Sequence, residues 1–282
     1  MKRIFLILAL LFSSLVYAQV QENTFPKPNG NYLGINWGLS TGSVRDMLTS
    51  PLFYTSVLIY GDFSYFYIDE QNIFELKTAT HNGLNAKLIS DNFYVGFQSA
   101  FDFKLSLLRN VQSISDNDLK HYLGADIDNY MSIRIMPDFM NAALSIDNVS
   151  NFAIAYKAEY NYHKKRKEKN FLGLIPYTTN EKFYVFSGRL SVPVISLYAR
   201  PKFTNPESAT VDIEDPLFKG YSLKAKAFSG LSTDLSVSRI LKNGNIIKYG
   251  YAWMFATNGK NAINRLEFSH HIIYIGLVFK FN

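Results

Sequence analysis

The strongest constraint on the fold of this chain is the alternation in its last segment. One face carries Ile273, Ile275, Leu277, Phe279 and Phe281, and the positions between them carry Tyr274, Gly276, Val278 and Lys280. A strict period of two is typical of a β-strand with two different faces. An apolar face that ends on an aromatic residue close to the C-terminus is typical of a strand that faces lipid. We therefore expect strands to cross the membrane.

The N-terminal segment reads as a secretory signal. Lys2 and Arg3 precede an apolar stretch, residues 4–15, that is too short to span a membrane as a helix. Ala18 ends a short stretch of the kind that a signal peptidase cuts. We expect a signal peptide over residues 1–18, export of the protein, and one outer-membrane barrel domain over residues 19–282.

Composition narrows the class of protein. No other stretch has about 18 consecutive apolar residues, so no transmembrane helix is predicted. The chain is 48% hydrophobic and 16% aromatic, which favours a lipid-facing band with aromatic girdles, although a soluble secreted β-protein could share it. The absence of cysteine excludes disulfides, thiolate zinc sites and cysteine nucleophiles. The formal net charge of +6 falls by two with the signal and is too weak and dispersed to predict a nucleic-acid partner.

Alternation along the chain predicts the fold class. Strands are expected to begin near Leu33, Val57, Phe74, Phe93, Met131, Phe152, Phe183, Tyr221, Ile246 and Arg265. These are ten strands, and the number of strands becomes twelve if the stretches 183–200 and 221–241 each form two strands. Lipid demands that every backbone group be paired, and closure of the sheet achieves this. The sequence therefore predicts an all-β, transmembrane, antiparallel up-and-down β-barrel of 10–12 strands.

Several connections carry their own signals. The polar run 115–118 could open a short helix, and the proline-containing stretch 200–217 predicts a long loop. Asn243-Gly244 predicts a tight hairpin because both residues tolerate positive φ. The basic run 164–169 is either a solvated connection or a patch that meets lipid phosphates. With both barrel ends in the periplasm, the Asn243-Gly244 turn is periplasmic and loop 257–264 is extracellular.

The chain resembles the outer-membrane β-barrel proteins of Bacteroidota-type bacteria. The resemblance is carried by the signal ending in Ala18-Gln19, the segment 50–54 (Ser-Pro-Leu-Phe-Tyr) at the head of a strand, the hairpin 242–245, and the closing segment 276–281. Barrel proteins usually end on the aromatic residue, whereas Asn282 follows Phe281 here. The resemblance implies an outer-membrane location and a barrel fold, and it carries no catalytic residues over.

Charged residues on the inward faces are the candidate functional residues. They are Lys77, Lys87, Asp102, Lys104, Arg134, Lys157, Glu159, Arg189, Lys224, Lys226 and Lys248. Basic residues outnumber acidic ones in this set, which predicts a mild anion preference if the lumen conducts. The alternative is a lumen closed by ion pairs, because ten to twelve strands fall between filled and open barrels.

The sequence therefore predicts a non-enzymatic barrel, either a small-solute channel or a structural or accessory outer-membrane subunit. Its expected partners are outer-membrane lipids and other outer-membrane proteins. No cofactor and no metal are expected, since the histidines lack metal-ligand spacing.

The sharpest catalytic alternative lies on the last strand. Glu267, Ser269 and His271 share the face of the apolar row, near the extracellular end, where a serine activated by a histidine would serve an outer-leaflet lipid hydrolase of the lipase or lipid A deacylase type. Residues i and i+2 of a strand lie about 7 Å apart, so contact is not assured. The order Ser-x-His also reverses that of the lipid A deacylases. Oxyanion donors would have to come from Asn258, Gly259 or Asn261.

The alternation also assigns individual side chains to the bilayer. Phe97 and Phe101 are expected to point into lipid near mid-strand. A lysine in their place should be costly, whereas Gln98→Lys on the opposite face should be tolerated.

Overall fold

The computed structural model describes residues 28–48, 50–89, 92–137, 144–171, 175–201, 221–260, 262 and 264–281. The expected signal peptide and most of the expected loop 200–217 lie outside these residues. No helix in the described part of the chain is long and apolar enough to cross a membrane. The strands are β1 (Gly30–Asp46), β2 (Ser50–Ile68), β3 (Asn72–Ile89), β4 (Asn92–Asn110), β5 (Leu119–Ile135), β6 (Leu144–Lys164), β7 (Lys167–Phe171), β8 (Ile175–Thr179), β9 (Lys182–Pro201), β10 (Tyr221–Lys226), β11 (Gly230–Ile240), β12 (Ile246–Thr257) and β13 (Leu266–Phe281).

The strands form a closed antiparallel β-barrel. Each of β1 to β5 pairs with the next strand, β6 pairs with β9, and β9 pairs with both β10 and β11. The order continues through β11, β12 and β13, and β13 pairs with β1 from Asn31–Phe281 to Asp46–Leu266. Strands β7 and β8 form a separate hairpin. Closure leaves no long free edge, as lipid requires.

Ten strands make the wall, which settles the predicted range of ten to twelve. The stretch 183–200 stays within one strand, β9. The stretch 221–241 does break, but β10 and β11 pair with successive parts of β9 and occupy one position in the barrel.

The expected short helix after residue 115 is wrong. Asp116 accepts hydrogen bonds from the backbone N–H groups of Asp118 and Leu119, which makes a turn, and β5 begins directly at Leu119. Side-chain acceptors of this kind favour turns as readily as helix caps. The strand expected near Met131 therefore begins twelve residues earlier than its alternation suggested.

The two faces of the wall differ as alternation predicts. Outward side chains are apolar and exposed, and Phe97 on β4 is 60% exposed. Its neighbour Gln98 is only 3% exposed and donates a hydrogen bond to the hydroxyl of Tyr130 at 3.1 Å. The burial of Gln98 argues against the expectation that Gln98→Lys would be tolerated, because this part of the lumen is packed with side chains.

The connections divide between two rims. The terminal rim carries Gly30, Phe281, the turns after β2, β4 and β11, and the β7–β8 hairpin, whereas the loop rim carries the connections after β1, β3, β5, β9 and β12. At the terminal rim, Asp69 accepts backbone hydrogen bonds from Gln71 and Asn72, which lower the pKa of its carboxyl group. The basic residues 164–167 are exposed at the same rim.

The turn between β11 and β12 is tight, as expected, but its geometry is different. The N–H of Gly244 bonds to the carbonyl of Leu241 at 3.0 Å, and only Gly244 has a positive φ, of 83°. Asn243 instead accepts a hydrogen bond from the N–H of Asn245. A β-turn followed by one left-handed glycine is a common three-residue hairpin connection.

Candidate functional site

The lumen contains a cavity of about 190 Å³. Inward positions of most strands contribute to it because alternation places every second residue inside. Its charged lining is balanced, with five basic residues, Lys77, Lys104, Lys157, Arg189 and Lys248, and five acidic residues, Glu75, Asp102, Asp128, Glu159 and Asp234. Aromatic and aliphatic side chains, including Tyr60, Ile73, Phe268 and Val278, line the rest.

Arg189 on β9 ties opposite walls together across this cavity. Its guanidinium donates to Glu75 on β3 and to Ser106 on β4, both at 2.6 Å, and also forms an ion pair with Asp126 on β5. Asp126 is fully buried and pairs in addition with Lys104 at 3.1 Å. Charge-assisted bonds of this kind are strong and geometrically specific. The cluster therefore narrows the lumen with a fixed set of side chains.

Two further groups of polar side chains lie around the cavity. Nζ of Lys248 on β12 lies 4.0 Å from one carboxylate oxygen of Asp234. The other oxygen of this carboxylate accepts a hydrogen bond from the hydroxyl of Tyr274 at 2.8 Å. On the opposite wall, Lys77 donates to the hydroxyl of Tyr60 at 3.4 Å. A solute in the cavity would therefore find both positively and negatively charged hydrogen-bonding partners.

A buried ion-pair layer separates the cavity from the loop rim. Arg134 on β5 and Arg200 on β9 each pair with both Asp46 on β1 and Asp147 on β6. All four side chains are nearly inaccessible, and Arg200 also donates to the backbone carbonyl of Asn264. Two arginines and two aspartates cancel in charge, which is the condition for burying such a group. None of the four lines the cavity.

An aromatic layer lies below the ion pairs. Tyr130 on β5 stacks on Phe268 of β13, with ring centroids 4.7 Å apart, and its hydroxyl lies 3.2 Å from Nε2 of His270. His81 on β3 is buried beside His270, with ring centroids 5.9 Å apart. These contacts also join distant strands, so the lumen is filled above the cavity. Among the described residues, no group of three or more His, Asp or Glu side chains is arranged to hold a metal ion.

The structure distributes the sequence-selected charged residues over three places. Seven line the cavity: Lys77, Asp102, Lys104, Lys157, Glu159, Arg189 and Lys248. Arg134 belongs to the ion-pair layer. The others lie near the loop rim, where Lys224 donates to the side chain of Asn264 at 3.0 Å, Lys226 is exposed, and Lys87 is half-buried.

Sequence analysis missed several acidic residues that face the lumen, and one arginine. The acids are Asp46, Asp126, Asp128, Asp147 and Asp234, and the arginine is Arg200. Most of these acids lie in segments where the strand register was not read, at 110–130, 144–150 and 221–241. Extending the alternation from neighbouring strands would have placed them inside. The apparent excess of basic residues, and the anion preference drawn from it, came from this omission.

The residues of the catalytic alternative lie together on the outer face of β13 but have separate partners. Ser269 accepts a hydrogen bond from Nε1 of Trp253 at 2.8 Å, and Nδ1 of His271 lies 2.7 Å from the hydroxyl of Tyr251. Glu267 pairs with Arg45 and Arg265. No Ser–His–Glu relay is formed by these contacts.

The two proposed oxyanion donors in the described part of the chain, Asn258 and Gly259, do not form a site with Ser269 through the contacts found there. The Asn258 side chain is buried, donates to the carbonyl of Asn264 at 2.9 Å and accepts from the N–H of Leu266 at 2.8 Å. Its role is therefore to hold the loop before β13. Gly259 has a positive φ of 102°, and Asn261 lies outside the described residues.

Comparison with models of known protein families and with curated protein sequences finds no match. Among solved structures, the chain is similar to the outer membrane protease OmpT from Escherichia coli, with a TM-score of 0.55 and 11% identity over 92% of this chain and 99% of that one. Neisserial surface protein A aligns with a TM-score of 0.39 and 11% identity over 90% and 98% of the two chains. The toluene transporter TodX of Pseudomonas putida aligns with a TM-score of 0.33 and 7% identity over 94% and 95%.

The likeness to OmpT concerns the fold. Nearly the whole of both chains is aligned, so the barrel described above is an outer-membrane β-barrel in architecture. At this identity, function has to be argued from the residues of the site itself.

Proposed function

We propose that the protein is an integral outer-membrane β-barrel, exported by its N-terminal signal and surrounded by outer-membrane lipids. The support is the exposed apolar outer face, on which Ile59, Leu88 and Ile273 are each more than 60% exposed. A soluble protein rarely exposes so continuous an apolar surface. The sequence resemblance favours a Bacteroidota-type origin. The terminal rim then faces the periplasm and the loop rim faces outward.

Within the membrane, we infer that the barrel is a narrow small-solute channel with a closed resting state, and that it is not an enzyme. The observation that carries this inference is the buried Asp46–Arg134–Asp147–Arg200 layer above a polar cavity. A solute that fits the cavity would have to part these ion pairs to reach the loop rim. Because the charges that line the cavity balance, the open channel should discriminate little between anions and cations.

Conductance of the purified protein in a planar bilayer tests this function. Wild type should show rare, small openings. Arg200→Ala removes one of the two arginines that hold both Asp46 and Asp147 and leaves the layer with an excess negative charge, so it should open the channel more often and more widely. Arg45→Ala is a matched control, since Arg45 precedes Asp46 but pairs with Glu267 on the outer face. A wide, permanently open wild-type pore, or identical currents from the two variants, would contradict the proposal.

A second candidate is a structural or accessory subunit in contact with other outer-membrane proteins. The cross-lumen contacts of Arg189 and Arg200 favour it, since they would make the barrel rigid whether or not anything passes. Silent bilayers for wild type and for Arg200→Ala, together with a stable partner protein after purification in mild detergent, would establish this role instead.

The lipid hydrolase that uses Ser269 and His271 is the remaining alternative. The separate partners of these two side chains, Trp253 and Tyr251, argue against it.

A further inference from the structure

The barrel wall is interrupted between β9 and the strand formed by β10 and β11. Pairing with β10 ends at Lys226–Ser196, and pairing with β11 begins at Ser232–Ser191. Residues 192–195 of β9 therefore have no partner on this side of the strand, and residues 227–231 have none on β9. An interrupted ladder inside lipid is unusual, because water is absent there to satisfy the backbone groups.

Local geometry on both strands accompanies the interruption. Pro193, which lacks an N–H group, lies in a bulge of β9, where the register with β6 shifts between Phe152 and Ala153. On the other strand, Phe228 has a φ of 50° and is the only residue other than glycine with a positive φ in the described parts of the chain. Backbone strain of this kind is retained where the surrounding structure requires it and often accompanies function.

Specific contacts replace the backbone ladder at the gap. The carbonyl of Ser229 accepts a hydrogen bond from the N–H of Thr257 on β12 at 2.8 Å, and its hydroxyl accepts one from Tyr198 at 3.0 Å. The first bond fixes the junction between β10 and β11 to β12. The second links it to β9 through a side chain, because Tyr198 lies on β9, with which the junction forms no backbone ladder. Gly230 then faces Pro193 without a side chain, and a Cβ at that position would lie 3.4 Å from the proline ring.

The lumen cavity reaches this gap. Pro193 and Gly230 line it, and so do Leu231, Trp253 and Phe255, which alternation places on the outside of the barrel. Among the lining residues, those of the outer face occur only beside this gap, which indicates that the cavity comes nearest to the outer face here.

The gap also lies at the depth of the hydrocarbon. Exposed apolar side chains lie in it and on both sides of it: Ile195 in the gap, Leu190 toward the terminal rim, and Leu197 and Leu223 toward the loop rim. Phe228 itself is 72% exposed.

We propose that this gap is a lateral opening through which a small apolar or amphipathic molecule without net charge passes between the bilayer and the lumen cavity. The inference rests on the proposed membrane location. The ligand class follows from the apolar and aromatic outer mouth, Leu231, Trp253 and Phe255, and from the charge balance inside. The size also fits, since an apolar cavity of about 150 Å³ accommodates benzene. The ion-pair layer obstructs the alternative route from the cavity to the loop rim.

Thiol labelling in liposomes of phosphatidylethanolamine and phosphatidylglycerol tests the opening. The chain has no cysteine, so Ser232→Cys places a single thiol in the cavity lining of β11. N-phenylmaleimide is the uncharged probe that enters from the bilayer, and a methanethiosulfonate sulfonate is the charged probe that enters from water. Leu231→Trp, added to this protein, narrows the outer mouth. Leu235→Trp is the matched control, on the same strand and face but outside the cavity lining.

Leu231→Trp should slow the reaction with N-phenylmaleimide about tenfold, equivalent to roughly 1.4 kcal/mol added to the barrier for entry. The rate with the charged probe should stay unchanged, and Leu235→Trp should alter neither rate. Equal N-phenylmaleimide rates in the two tryptophan variants would overturn the lateral opening. Thr233→Trp, also at the mouth, repeats the test if Leu231→Trp does not fold. Flotation of the protein with the liposomes tests the membrane location separately, so the two failures are distinguishable.

Discussion

At the scale of single residues, neighbouring side chains on one strand face different solvents. Phe97→Lys should cost about 2–4 kcal/mol, because it places a charge in lipid near the midplane. Unfolding in urea from liposomes measures this free energy, with Phe97→Leu as the control that keeps an apolar side chain. A cost below that of Phe97→Leu would show that Phe97 does not face lipid.

Gln98→Lys should also destabilise the barrel, for a different reason. Gln98 is buried and donates to Tyr130, so a lysine would leave a buried charge and lose a hydrogen bond. Gln98→Met, which keeps the size and omits the charge, should recover part of the loss. The same unfolding experiment compares the two variants, and a Gln98→Lys protein as stable as wild type would contradict the packed lumen.

The chemistry of Ser269 is also decided locally. Its hydroxyl already accepts a hydrogen bond from Trp253, and His271 is engaged with Tyr251. We therefore predict no labelling of Ser269 by a fluorophosphonate or a sulfonyl fluoride, and no lipase, phospholipase or lipid A deacylase activity. Calcium-dependent hydrolysis of lipid that disappears in Ser269→Ala would make the enzyme the better description.

At the scale of elements, the hairpin between β11 and β12 depends on one backbone angle. Gly244→Ala should destabilise the barrel by about 1–2 kcal/mol, because an L-residue is unfavourable at positive φ; Gly244 has a φ of 83°. Asn243→Ala should cost less, since Asn243 contributes only a side-chain hydrogen bond. Thermal or urea unfolding of the two variants compares them, and a larger loss for Asn243→Ala would be inconsistent with this turn.

The sequence predicts strands well where one face is apolar throughout. Alternation around Phe97 and Ile273 assigned β4 and β13 to the correct faces, because lipid and lumen impose opposite requirements on successive residues. It was weak where polar residues occupy both faces, as in β5, where Asn129 on the outer face bonds to Asn148 of β6. An outward polar side chain whose hydrogen bonds are made to a neighbouring strand can be tolerated on the lipid face. The difference in polarity between the two faces, on which the prediction depends, is then lost.

The site was less predictable than the wall. Lys104 and Arg189 could be assigned to the lumen from their own strands, but their partner Asp126 lies on a strand whose register was unknown. The interruption beside Pro193 depends on the relative register of three strands, and no local pattern specifies that. Proline in a strand signals a bulge, which is the one clue that the sequence offered.

At the scale of the whole molecule, the barrel should behave as one heat-modifiable unit. Closure through β1 and β13 and the cross-lumen ion pairs resist unfolding by SDS at room temperature. We expect the mature protein to require detergent for extraction, and to migrate differently on SDS gels before and after boiling. A mature protein that is soluble and monomeric without detergent would contradict the membrane location.

The seam between β1 and β13 has a consequence for the order of assembly. Asn31 pairs with Phe281, whereas most other neighbours in the wall are joined by short connections. The entropy lost on closing a loop grows with its length, and pairings distant in sequence form slowly. Hairpins such as β1–β2 and β3–β4 should therefore appear early, and the seam last. Until it closes, β1 and β13 present unpaired edges, and the nascent sheet is open to pairing with another chain.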